Sequence, residues 1–135
     1  MEQTLALIKP DAVERHLVGA IITEIEKNDF QIVAIRTLQL TTAKAKLFYK
    51  AHRAKPFFDS LVEYMASGQI FVLLLEKDHA VEAWRVLHGH TDPTQAAIGT
   101  LRRRFGIDVQ RNSVHAADSL ATALDEIKFF FGEGQ

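Results

Sequence analysis

The sequence contains no cysteine, which excludes a disulfide framework, thiolate metal sites and cysteine nucleophiles together. Long apolar runs are also missing. The longest, Ile70 to Leu75, falls far short of the ~20 residues a membrane helix needs and suits a buried strand. Residues 1–9 lack the charged-then-apolar layout of a signal peptide, so a cytoplasmic location and no membrane partner are expected. Charge of either sign is not in excess: 16 Lys and Arg face 17 Asp and Glu, a net charge of −1. No bulk positive field draws such a chain to nucleic acid, and any basic site must be local. The seven glycines, at 19, 68, 89, 99, 106, 132 and 134, fit neither G-x-G-x-x-G nor the P-loop spacing. Phosphate handling would therefore fall to cationic side chains.

What is present is ordinary globular composition. With 135 residues, 47% hydrophobic and 24% charged, the chain can bury one substantial core and reads as a single domain over residues 1–135. Leu5 to Ile8 is a short strand that stops at Lys9-Pro10. Val18, Ile21, Ile22 and Ile25 follow the i, i+3, i+4, i+7 rule of an amphipathic helix closed by Asn28-Asp29. Phe30 to Leu40 reads as a second strand, Thr42 to His52 and Pro56 to Ala66 as helices, and Gln69 to Glu76 as a third strand. A helix follows over Ala80 to Leu87, then a loop from His88 to Ala97. Ser113 to Ala116 suggests a brief fourth strand, and Asp118 or Ser119 caps a last helix with the stripe Leu120, Leu124, Ile127 and Phe131. This order predicts an α+β sandwich with a ferredoxin-like split βαβ core, a four-stranded antiparallel sheet and extra helices.

Several side chains carry chemistry. Lys9 closes the first strand, Arg85 lies on a helix, and Arg102, Arg103, Arg104 and Arg111 crowd the segment leading to Asn112 and His115. Arginine forks and lysine point charges suit phosphate oxygens, although a solvated basic face is the commoner meaning of such a cluster. His16, His52 and His79 lie among polar residues and read as surface. His88 and His90 form an H-x-H pair, half of a metal site at best. His115 differs: small Ala116 and Ala117 follow it, and Glu126 comes later on a helix. That layout can leave one ring nitrogen open while a carboxylate orients the other, though a satisfied buried histidine is more common.

Read together, these residues resemble the nucleoside diphosphate kinase family from Gln3 to about Gly132. The pieces are Thr4 to Val13 (TLALIKPDAV), Pro56-Phe57-Phe58 with Leu61-Val62, Tyr64 to Gly68 (YMASG), Thr91-Asp92-Pro93, Gly99 to Arg102 (GTLR) and Asn112 to Ser119 (NSVHAADS). The resemblance implies a ping-pong exchange in which a nucleoside triphosphate such as ATP phosphorylates His115 and a diphosphate removes the phosphate. It makes Glu126 the carboxylate that orients the ring. Lys9, Tyr49, Arg85, Thr91 and Arg102 match positions around the phosphates. Asn112, with Lys9, matches the ribose contact, and Phe57 and Val109 match the walls around the base. Magnesium is expected to ride on the phosphates without a dedicated protein cage. The implied partners are nucleoside tri- and diphosphates and further copies of the chain, as a tetramer or hexamer.

The chain departs from the family in places. Ala116 and Ala117 replace the usual glycine and serine, removing a hydroxyl expected to reach Glu126 or the phosphate. Gln69 replaces a proline, Arg104 stands where an acidic residue is common, and the tail ending at Gln135 is shorter than in most relatives. Tails often contribute to subunit contacts, so the subunit number stays open. A catalytically silent nucleotide- or RNA-binding module, or a scaffold subunit, would share the fold without needing His115.

Overall fold

The computed structural model describes residues 1–89, 94, 99–106 and 114–132. Four strands, β1 (Glu2–Ile8), β2 (Gln31–Gln39), β3 (Gln69–Lys77) and β4 (Val114–His115), form an antiparallel sheet in the order β2-β3-β1-β4. Among the described residues, seven helices surround it: α1 (Pro10–Glu14), α2 (Val18–Lys27), α3 (Thr42–Phe48), α4 (Phe58–Ala66), α5 (Ala80–His88), α6 (Leu101–Phe105) and α7 (Leu120–Phe131). This is the ferredoxin-like α+β sandwich that the alternation of periods predicts.

Side chains alternate across a strand, so the central strands β1 and β3 feed two separate cores. Leu5, Leu7, Val72 and Leu74 enter one layer, where α3, α4 and α7 supply Ala45, Val62, Met65, Ile127 and Phe130. Ala6, Ile8, Leu73 and Leu75 enter the other, against Ile21 and Ile25 of α2, Trp84 of α5 and Leu101 of α6. Burial on both faces is why these strands read as unbroken apolar runs. Each fully buried Leu or Ile contributes roughly 1.5–3 kcal/mol. The helices converge at the C-terminal end of β1, where Tyr64 of α4 hydrogen-bonds Asp11 of α1 through its hydroxyl and accepts the Asp11 backbone N–H at 3.1 Å.

Several boundaries differ from the expectation. Strand one stops at Lys9-Pro10 as expected and runs at once into α1, and Leu101–Phe105 forms α6, five residues too short for periodicity to reveal. The helix expected over Thr42 to His52 ends at Phe48, with a 3₁₀ turn over Lys50–His52. His88 belongs to α5 and is fully buried rather than lying in a loop. His90, its expected partner, lies outside the described residues. His52 is half-buried, not a surface residue.

The apolar stripe of α7 is also rotated. Leu120 and Leu124 are 46% and 50% exposed, while Ala123, Ile127 and Phe130 are buried. The sequence offers two overlapping stripes. The one chosen sets small Ala123 and large Phe130 against the sheet, and Ser119 caps it by accepting the Thr122 N–H at 3.1 Å. Arg104, replacing an acidic residue, pairs with Glu24 at 2.9 Å.

Candidate active site

β4 is only two residues long, yet it fixes His115 opposite Leu7 of β1. Directly paired residues share a sheet face, so the imidazole enters the layer of α3 and α7. There its Nε2 lies 2.8 Å from Glu126 Oε2 on α7. A carboxylate only accepts, so Nε2 carries the proton and Nδ1 keeps the lone pair. Phe48 and Tyr49 meet the ring edge-on, with centroids at 5.4 and 5.8 Å. The His115 side chain stays 20% exposed. Its backbone is held separately: Trp84 Nε1 donates to the His115 carbonyl at 3.2 Å, and Arg102 donates to the Val114 carbonyl at 3.0 Å.

Buried polar atoms are normally hydrogen-bonded, but around this histidine several are not. Tyr49 Oη, Glu126 Oε1, Arg102 Nε and both ring nitrogens of His88 have no partner; Thr4 Oγ1 and His52 Nδ1, elsewhere in the fold, share this state among the described residues. Burial, and secondly the Glu126 charge, pushes the Tyr49 phenol far above its usual range. Burial lowers the Arg102 guanidinium to about 10, with repulsion from Arg85 adding to it. His88 is held well below the ordinary histidine value by burial first, then by Arg102, His115, Lys9 and Arg85. Of these, Arg85, His88 and Arg102 line one hollow. Lys9, at the end of the first strand as expected, is buried at the N-cap of α1.

Two hollows flank His115. One, of about 850 Å³, runs along α5 and is lined among others by Arg85, His88, Gly89, Arg102, Ala116 and Asp118. It passes Ala116 rather than the His115 ring itself. The other, of about 530 Å³, opens between α3 and α7 beside Phe48, Glu126 and Phe129. Phe57 stands out from the surface, 46% exposed, with its ring 5.7 Å from that of His52, whereas Phe58 packs into the core. Thr91, Val109, Arg111 and Asn112 lie outside the described residues. The residue that sequence reading misplaced is His88. A signal was available: Ala80, Trp84 and His88 repeat every four positions and so share one helix face.

Comparison with known proteins agrees with this arrangement. A family model described as nucleoside diphosphate kinase matches residues 2–135. The nucleoside diphosphate kinase of Pasteurella multocida (strain Pm70) is 51% identical over 135 residues, covering 100% of this chain and 97% of that protein. The crystal structure of the Aquifex aeolicus nucleoside diphosphate kinase superposes with a TM-score of 0.95 at 40% identity, over 96% of this chain and 94% of that one. The Halobacterium salinarum nucleoside diphosphate kinase, solved in complex with CDP, gives 0.92 at 35% identity over 96% of this chain and 87% of that one. The chain belongs to the nucleoside diphosphate kinase family, a family of phosphotransferases.

Proposed function

We propose that residues 1–135 act as one domain that moves the γ-phosphate of a nucleoside triphosphate, such as ATP, onto a nucleoside diphosphate through phosphohistidine at His115. The observation that carries this reading is the bond from His115 Nε2 to Glu126, which leaves Nδ1 outside that contact and open to act as the nucleophile. In the first half-reaction Nδ1 attacks the γ-phosphorus, the bond to the β,γ-bridging oxygen breaks, and the diphosphate leaves. Glu126 stabilises the positive charge that grows on the ring. In the second, a β-phosphate oxygen of another diphosphate attacks the same phosphorus and the N–P bond breaks.

Phosphoryl transfer depends mainly on positioning and on neutralising spread negative charge. Lys9, Arg85 and Arg102, with the hydroxyls of Tyr49 and Thr91, would surround the phosphates. The unpartnered Arg102 Nε and Tyr49 Oη support this, since an oxyanion supplies the acceptor each lacks. Asn112 with Lys9 would hold the ribose, and exposed Phe57 with Val109 the base. Stacking accepts any base, at about 1–3 kcal/mol per base in nucleic-acid systems.

Magnesium would arrive on the phosphates. Among the described residues no three His, Asp or Glu side chains gather around one point, and magnesium prefers few protein ligands and many waters. Arg85 and Arg102, which line one hollow, would hold the phosphates that carry the metal, and the metal when bound would draw charge from the transferring group. The reaction belongs where triphosphates are available, in the cytoplasm. Assembly into a tetramer or hexamer would need several surfaces, and β2, an edge strand with Val33 and Ile35 exposed at 45% and 48%, offers one for pairing two copies.

The test uses γ-labelled ATP with magnesium. Label on the chain should be acid-labile and alkali-stable, should pass to a different added diphosphate, and should vanish in His115→Gln. Nucleotide binding without labelling would instead mark a silent binding module.

A further inference from the structure

His88 is fully buried, yet among the described residues neither ring nitrogen has a hydrogen-bond partner. Such a group is destabilising relative to a satisfied one. Its surroundings connect it to the phosphoryl-accepting histidine by two routes. Its ring packs edge-on against Trp84 at 4.1 Å, and Trp84 Nε1 holds the His115 carbonyl. The next residue, Gly89, takes one arm of Arg102 on its carbonyl at 3.2 Å, and the other arm holds the Val114 carbonyl. Gly89, at φ +85, ends α5 immediately after the ring. The last turn of α5 is therefore the seat on which both holders of β4 rest.

We propose that His88 is a positioning residue for His115 and the acid-release point of the site: its neutral ring keeps the last turn of α5 seated, and proton uptake unseats it. The inference rests on the phosphohistidine reading above. The reason is the company the ring keeps. Arg85 on the same helix and Arg102 on α6 line one hollow with it, and the charges of Lys9 at the end of β1 and His115 on β4 also act on it, all basic. The carboxylates of the cleft are Glu2, Glu82 and exposed Asp118, with His79 nearby. Glu2 is occupied at the far end of α5, accepting the Val81 N–H at 3.0 Å. Glu82 lies six residues from His88, about 9 Å along the helix axis. An imidazolium at position 88 would thus be buried among cations without an acceptor among the described residues. It can take a proton only by leaving its hole, which releases Trp84 and Arg102 from β4.

The chain has one tryptophan, so intrinsic fluorescence reports on Trp84 alone. Emission and phosphotransfer rate are followed from about pH 8 to about pH 4 in the wild type, His88→Leu and His115→Gln. The wild type should show a reversible change in emission with its midpoint below the ordinary histidine value of about 6.5, and the rate should fall with the same midpoint. His88→Leu should move both transitions to lower pH, and the inactive His115→Gln should keep the fluorescence change. Equal midpoints in wild type and His88→Leu would overturn the proposal. So would a wild-type rate and emission that fall at different pH, a comparison that needs no variant to fold. In the wild type, the NMR signal of the His88 ring should titrate at the emission midpoint, and titration elsewhere is a second refutation. A chain that never transfers phosphate defeats the phosphohistidine reading, while the emission change and its shift in His88→Leu still decide whether His88 seats Trp84.

Discussion

Glu126 binds His115 through one oxygen and leaves the other, Oε1, buried and bare. Two positions after His115, Ala117 is 2% exposed and packs against Ala123, one turn before Glu126 on α7. A hydroxyl at this point would supply a donor near the orphaned oxygen, an interaction worth about 0.5–1.5 kcal/mol. Ala117→Ser should therefore raise turnover several-fold, by about the same energy in the barrier; steady-state rates that stay level or drop reject the explanation. The departure from the family pattern was legible in the sequence, but the bare carboxylate oxygen was not, because it depends on where α7 docks. His88 makes the same point from the other side. Its burial lowers the folded-state value, so above about pH 6.5 both folded and unfolded chains hold it neutral and stability is unaffected. As pH falls below that, the unfolded chain takes the proton first and stability declines, by at most about 1.4 kcal/mol per pH unit for one proton. Urea unfolding as a function of pH should show a shallower acid decline in His88→Leu; parallel curves would mean that His88 titrates normally in the fold.

Among elements, the long periodic ones were readable and the short ones were not. Two-sided burial gave β1 and β3 their unbroken apolar runs, and Ile21 and Ile25 marked the inward face of α2. α1 and α6, five residues each, contain barely more than one helical turn, too little for a period to appear. α7 shows how a correct period can still give the wrong face. Leu124 and Ile127 both fit a helical stripe, and only the docking of Ala123 and Phe130 selects between the alternatives. Ile127→Ala should destabilise by about 2–5 kcal/mol, as expected for a buried aliphatic residue. Leu124→Ala, at an exposed position, should stay within about 0.5 kcal/mol. Thermal or urea unfolding of the two variants side by side decides it, and similar losses would show that the inward face has been misidentified.

For the whole molecule, the open question is what covers β2. Its inner neighbour β3 satisfies one side of its backbone, while the outer side forms the edge of the sheet. A nine-residue edge strand with exposed Val33 and Ile35 is a ready template for pairing with another chain. Natural edge strands avoid this with inward charges, proline or shortness, and β2 carries only Arg36 as a charge, whose guanidinium is turned to the Phe130 carbonyl. The near-zero net charge adds little long-range repulsion between copies. Pairing across β2 would join two sheets into one and cover both aliphatic side chains. Ile35→Lys puts a charge on that edge and should shift sedimentation toward smaller species, with the far-UV circular dichroism of the fold retained. Because His115, Glu126 and Arg102 are all supplied by one chain, phosphohistidine formation should survive the split. Unchanged sedimentation would exclude β2 as the assembly surface, and loss of labelling in a folded, smaller species would show that the site needs a neighbouring copy.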